Sequence, residues 1–282
     1  MAIILSYIFY FIASTLSSLQ IRWLTKKHDL ESREQVRFTF QIIAILFLGS
    51  LTFPFFSPFH LSGNYYHLFL LFLVCGVFGA GCNLFAIFAQ KHLDAGVSSV
   101  VGNIYTPLTI ILSSLLLREG LAPMQIVGTL LLLMAMFIVS QKHRIGRFTF
   151  NKYFLMMLLS GVLLSVLLVA ERALQKTTGF SAGVMLSWGA QALFLGLIAL
   201  FVKSKHTYSS AEVWGTGLVK FLGATSWVTL VYVVGNLSLV SSITTFKVII
   251  VFVAAALFLN EKEDLRRKIF GCILAVIGLL LM

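Results

Sequence analysis

Charge is scarce in this chain: Asp, Glu, Lys and Arg make up only 11% of its 282 residues, where a soluble domain carries roughly a quarter. Hydrophobic residues reach 59% and mean hydropathy is +0.97, which excludes a water-soluble globule. The aliphatic runs also lack a period of two, so they are not the roughly ten-residue alternating strands of a membrane barrel. All six histidines, at 28, 60, 67, 92, 143 and 206, fall in loops or at the ends of apolar runs. No cluster of His, Asp or Glu at one depth is present to support metal-dependent or acid–base chemistry, so neither an enzyme nor a metal or other cofactor is expected. Cys75, Cys82 and Cys272 lie inside apolar runs without partner spacing, as small packing residues.

Apolar stretches of membrane-crossing length recur at about 2–22, 35–56, 66–89, 96–117, 123–140, 152–172, 181–202, 212–235, 239–259 and 266–282. These predict an all-α membrane protein of ten transmembrane helices. The first stretch lacks a basic leader and is followed by Arg22, Lys26 and Lys27, so it reads as a retained helix rather than a cleaved signal.

The formal net charge of +11 follows the loops. Those after the odd-numbered spans hold sixteen Lys and Arg; the opposite loops hold three, Arg118, Arg172 and Lys176. By the positive-inside rule both termini lie outside, in a multi-pass protein of the plasma (inner) membrane. Membrane orientation accounts for the basic excess, and no nucleic-acid partner is needed to explain it.

The chain also repeats itself. Val97-Ser98-Ser99 recurs as Val240-Ser241-Ser242, followed by Glu119 or Glu261 and then Gly128 or Gly271. Gly79-Ala80 recurs as Gly223-Ala224, and the Arg22 to Lys26 segment echoes Arg172 to Lys176. Residues 1–145 and 146–282 are thus read as two five-helix units. An odd number of crossings in each makes them inverted repeats, a common build among secondary transporters.

The polar entry to the fourth span, Pro107, the Leu117-Arg118-Glu119 exit and Gln125 to Gly128 resemble the EamA-type domain of the drug/metabolite transporter superfamily, and the second half follows the pattern more loosely. The resemblance implies a ten-helix carrier whose central cavity is lined by the first four helices of each half. It also implies cytoplasmic termini and a basic loop after the second span. Residues 54–66 carry no Asp, Glu, Lys or Arg, and the reading here follows the charge split. The first span lacks the family's usual Trp-Gly pair, and the ninth has no proline matching Pro107.

Lys247 stands inside the ninth span, about 12 Å from its nearer end at roughly 1.5 Å per residue, beyond easy snorkelling. An ammonium there costs several kcal/mol unless it meets a cavity or a partner. It either receives an anionic group of a solute or ties helices together. Thr244 stands beside it, and Asn103, Tyr105 and Thr106 occupy the corresponding turn of the fourth span, as facing halves of one site. The phosphate-translocator and nucleotide-sugar branches of the superfamily carry a similar lysine, and this resemblance implies an anionic substrate. Lys220 either snorkels or faces the cavity; Asn83, Trp188, Gln191 and Trp227 are further wall candidates, against the alternative of plain packing.

No Asp or Glu is expected deep in a span. Glu171 is placed at the end of the sixth, paired with Arg22, Arg172 or Lys176, and cation/proton antiport is accordingly disfavoured. The sequence thus predicts a secondary transporter of small organic metabolites, anionic or zwitterionic, working by alternating access as a monomer or weak dimer whose partners are a small solute and the lipid bilayer. The runners-up are efflux of hydrophobic amphiphiles or aromatic amino acids, and a non-transporting receptor or flippase accessory subunit.

Overall fold

The computed structural model describes residues 2–28, 32–93, 95–140, 152–202, 208–258 and 265–281. The expected junction between repeats near 143–150, and Glu261, lie outside the described residues. Among the described residues the structure is helical and contains no strand. The helices are α1 (Ala2–His28), α2 (Ser32–Ser50), α3 (Tyr65–His92), α4 (Ala95–Gly102), α5 (Tyr105–Leu117), α6 (Pro123–Ser140), α7 (Lys152–Leu200), α8 (Ser210–Val234), α9 (Leu237–Thr244), α10 (Lys247–Phe258) and α11 (Leu265–Leu280). Of these α1, α2, α3, α7 and α8 are long and apolar enough to cross a bilayer. The protein is a multi-pass integral membrane protein.

Local chemistry sets the helix ends. Asn64 caps α3 by accepting from the Tyr66 amide at 2.9 Å, and Ser209 with Glu212 forms a capping box on α8. Gly235, at φ 73°, closes α8, and Asn236 caps α9 through the Leu239 amide. Two further breaks separate α4 from α5 and α9 from α10. Pro107 has no N–H to offer the Asn103 carbonyl, which accepts from the Thr106 amide at 3.0 Å instead, and the helix breaks between α4 and α5. No proline stands between α9 and α10. There the Thr244 and Thr245 hydroxyls turn back onto the Val240 and Ser241 carbonyls, while backbone bonds tighten to three-residue spacing.

The sequence reading placed a connection between residues 172 and 181. The helix instead runs on through Thr178 and breaks only at Gly179, whose φ of 83° and ψ of −179° no helix accommodates. At about 1.5 Å per residue the 49 residues of α7 would span more than twice the hydrocarbon core. The break at Gly179 lets residues 180–200 return beside residues 152–178, as the bond between Glu171 and Ser187 shows.

Apolar side chains fill the interior and also cover much of the outer surface. Along α1, Ile4, Ile8, Ile12 and Leu16 form an exposed apolar stripe, while Tyr10, Ser14, Ser17 and Ser18 face a central cavity. Helix α3 packs along α7, α1 along α8, α2 against α7 and α8, and α6 against α11; α5 touches α7 and α9, and α10 touches α1 and α4. Phe53, Phe180, Trp188 and Phe221 form an aromatic cluster between them.

Gly161 lets α7 approach the end of α4 so closely that a Cβ there would sit 2.6 Å from the Gly102 carbonyl oxygen. Gly161→Ala therefore destabilises by about 1–3 kcal/mol, the usual cost of overpacking. The midpoint of thermal unfolding in detergent should fall, whereas Leu158→Ala on the exposed face should leave it nearly unchanged; an unmoved midpoint in the glycine variant contradicts this packing.

Candidate functional site

A cavity of about 330 Å³ lies among α1, α2, α3, α5, both halves of α7, α8 and α10. Its position follows from the two helix breaks. Tyr105, first residue of α5, and Lys247, first residue of α10, both line it. The breaks are joined to each other: Asn103 Nδ2 donates to Thr245 Oγ1 at 3.3 Å, and the Thr106 and Thr245 hydroxyls share a bond of 3.0 Å. These bonds satisfy polar side chains that have no water at this depth.

Lys247 is half-buried, and its Nζ lies 5.9 Å from the centre of the Tyr10 ring. Among the described residues it has no carboxylate in contact and no hydrogen-bond acceptor, and the Tyr10 ring face and the Tyr105 phenol are the groups it meets.

A second cation is held differently. Lys220 Nζ donates to Asn83 Oδ1 at 2.8 Å, and Asn83 Nδ2 donates to Gln191 Oε1 at 3.2 Å and to the Gly79 carbonyl at 2.8 Å. Gln191 Nε2 donates to Ser187 Oγ at 3.3 Å, and Ser187 Oγ donates to Glu171 Oε2 at 2.6 Å. Side chains of α8, α3 and both halves of α7 thus form one polar chain along the cavity. Trp188 and Trp227 supply apolar wall beside it.

Of the residues singled out from sequence, Lys247, Tyr105, Lys220, Asn83, Trp188, Gln191 and Trp227 line this cavity. Asn103, Thr106 and Thr244 do not. All three are buried, the first two bonded to Thr245 and Thr244 to its own helix backbone. They form the joint between the helix breaks rather than its open face, because a hydroxyl or amide inside a bilayer is drawn to another polar side chain, as Asn103 and Thr106 are to Thr245, or to a backbone carbonyl, as Thr244 is to Val240.

Glu171 is the residue that sequence reasoning misplaced. It is 4% exposed, lines the cavity and pairs with none of the three cations expected. Arg22 Nη1 instead holds the Gln90 and Lys91 carbonyls at 2.7 and 2.8 Å. Arg172 and Lys176 sit 3.0 and 3.1 Å from Glu119, which also accepts from the Leu237 amide at 2.8 Å. The misplacement came from ending the sixth span at 172. The serine face of α1 was also missed, although Tyr10, Ser14, Ser17 and Ser18 recur at helical spacing and mark a polar stripe on an apolar helix.

Thr245→Val removes the acceptor for Asn103 and the partner of Thr106 together. Taking its partner from the buried Thr106 hydroxyl costs about 1–3 kcal/mol, read as a lower thermal midpoint; equal stability would show that the joint is dispensable.

The model of the EamA-like transporter family matches residues 1–141, half of the chain. No curated protein matches. A solved crystal structure superposes with a TM-score of 0.70 at 17% identity, over 98% of this chain and 97% of that one. At that identity the likeness is to the fold alone.

Proposed function

This chain belongs to the EamA-like transporter family, within the drug/metabolite transporter superfamily, and we propose that it is a secondary carrier moving small anionic or zwitterionic organic metabolites by alternating access. The reading rests above all on Lys247, a cation at the cavity wall with no carboxylate in contact among the described residues. A phosphate or carboxylate entering the cavity supplies that counter-charge through charge-assisted hydrogen bonds.

Three features support a ten-crossing, inverted-repeat arrangement behind this activity. Counting α4 with α5 and α9 with α10 as single interrupted crossings, and the two halves of α7 as two, each half of the chain has five. The packing pattern survives exchange of the halves: α1 against α8 corresponds to residues 152–178 against α3, and α1 against α10 to residues 152–178 against α4 and α5. The interruptions at Asn103 and Thr245 occupy matching places, and paired broken helices near the centre of inverted repeats are where such carriers hold solute, with half-helix N-termini favouring anions. The charge distribution supports termini outside the plasma (inner) membrane, and a monomer or weak dimer is sufficient for the mechanism.

A second reading, efflux of amphiphiles or aromatic amino acids, is favoured by Tyr10, Tyr105, Trp188 and Trp227 on the same wall. A thermal-shift screen of phosphorylated metabolites, nucleotide sugars and amino acids on purified protein separates the two, since a ligand of the folded state raises its apparent stability. Lys247→Met should leave the protein inserted and folded. Uptake of the anionic hit into proteoliposomes should fall to the level of empty vesicles, whereas full uptake in that variant refutes the anion site.

A further inference from the structure

The polar chain in the cavity ends on an ionisable group, and all its links point one way. Lys220 donates to Asn83, Asn83 to Gln191, Gln191 to Ser187, and Ser187 to Glu171. An ammonium only donates and an ionised carboxylate only accepts, so the two ends together order the amides and the hydroxyl between them. Glu171 has no cation in contact among the described residues; the Trp188 indole also lies against it. The other ionisable groups around it are the Cys75 and Cys82 thiols from α3 and Lys220 from α8. Lys247 of α10 and the phenols Tyr10 of α1 and Tyr105 of α5 share the cavity; α2 contributes Ile43 and Leu46 to the wall.

We infer that Glu171 is a proton-binding site of this carrier, and that its protonation is coupled through Asn83, Gln191 and Ser187 to anion binding at Lys220. The coupling rests on the reading of the cavity as a solute site; the proton site does not. A hydronium in the cavity transfers its proton to Glu171 Oε1, leaving water and a neutral carboxylic acid. The cavity then holds two ammonium groups and no carboxylate, so the charge facing Lys220 along the chain disappears and an entering anion meets it uncompensated. Proton and anion bind together and cross together. Release of the proton restores the carboxylate and weakens the hold on the anion. Each site raises the other's affinity by the same factor, as linkage requires.

Infrared difference spectra of purified protein during a pH titration, with no solute present, test the proton site directly. A protonated-carboxyl band should appear on acidification and be missing in Glu171→Gln; a wild-type spectrum without a band that this substitution removes overturns the proposal. The coupling is read with inorganic sulfate, whose charge stays fixed over the same range, by quenching of tryptophan fluorescence. Sulfate should bind at least about fivefold tighter at the acid end in wild type, within the usual span of coupling factors, and independently of pH in Glu171→Gln. Ser187→Ala breaks the chain while keeping the carboxyl, so it should retain the infrared band and lose the pH dependence, which keeps the test valid should Glu171→Gln not fold. PH dependence surviving in Ser187→Ala refutes the relay. Absence of sulfate binding to wild type at every pH, with the infrared band present, counts against the anion site and the coupling and leaves the proton site standing.

Discussion

Inside a bilayer a polar group finds no water, and every donor, acceptor or charge must be answered by the protein itself or by the cavity it encloses. Each notable feature of this chain follows from that constraint. Helix α1 exposes isoleucine and leucine and turns Tyr10 and its serines inward. At the two helix breaks the side chains of Asn103, Thr106 and Thr245 bond to one another, and Thr245 also donates to the Ser241 carbonyl. Lys247 follows the second interruption immediately, so the break that frees the backbone also brings an ammonium to the cavity wall. Fold and site therefore share one cause.

Two arginines away from the cavity show the same constraint met by pairing. Arg22 holds the last carbonyls of α3, and Arg172 holds the Gly235 carbonyl just beyond α8 at 2.8 Å. Both are cations at helix C-termini, where dipole and unpaired carbonyls favour them. They are also the two arginines that mark the repeat in the sequence. Arg172 is 7% exposed and answered by Glu119, itself tied to the first amide of α9. These contacts contrast with Lys247, which among the described residues has no carboxylate or hydrogen-bond acceptor in contact.

Much of this was legible in the sequence, because a bilayer imposes simple statistics. Hydropathy located the helices, and Lys247 and Lys220 stood out as charges in apolar runs. Pro107 announced the first interruption. The second carried no proline, and only the Thr244-Thr245 pair hinted that hydroxyls would bend the helix there. Glu171 was hidden for a different reason: apolar runs show where hydrocarbon lies but not how far a helix continues past it, and the run of Gln175, Lys176, Thr177 and Thr178 looked like a loop. Which polar side chains bond to backbone and which face the cavity depends on helix rotation. The polar positions of α1 carried that information, but those of α4 and α5 did not, since Asn103, Tyr105 and Thr106 lie within one turn and diverge only in three dimensions.

The central claim is that the Lys247 ammonium is open to the cavity and answered by solute. Reaction of the folded protein with the small anionic amine reagent trinitrobenzenesulfonate, followed by peptide mass spectrometry, tests it most directly. The account predicts that Lys247 is modified, and that the solute identified by thermal shift protects it in proportion to occupancy. A lysine that resists the reagent, or reacts equally with the solute bound, contradicts it.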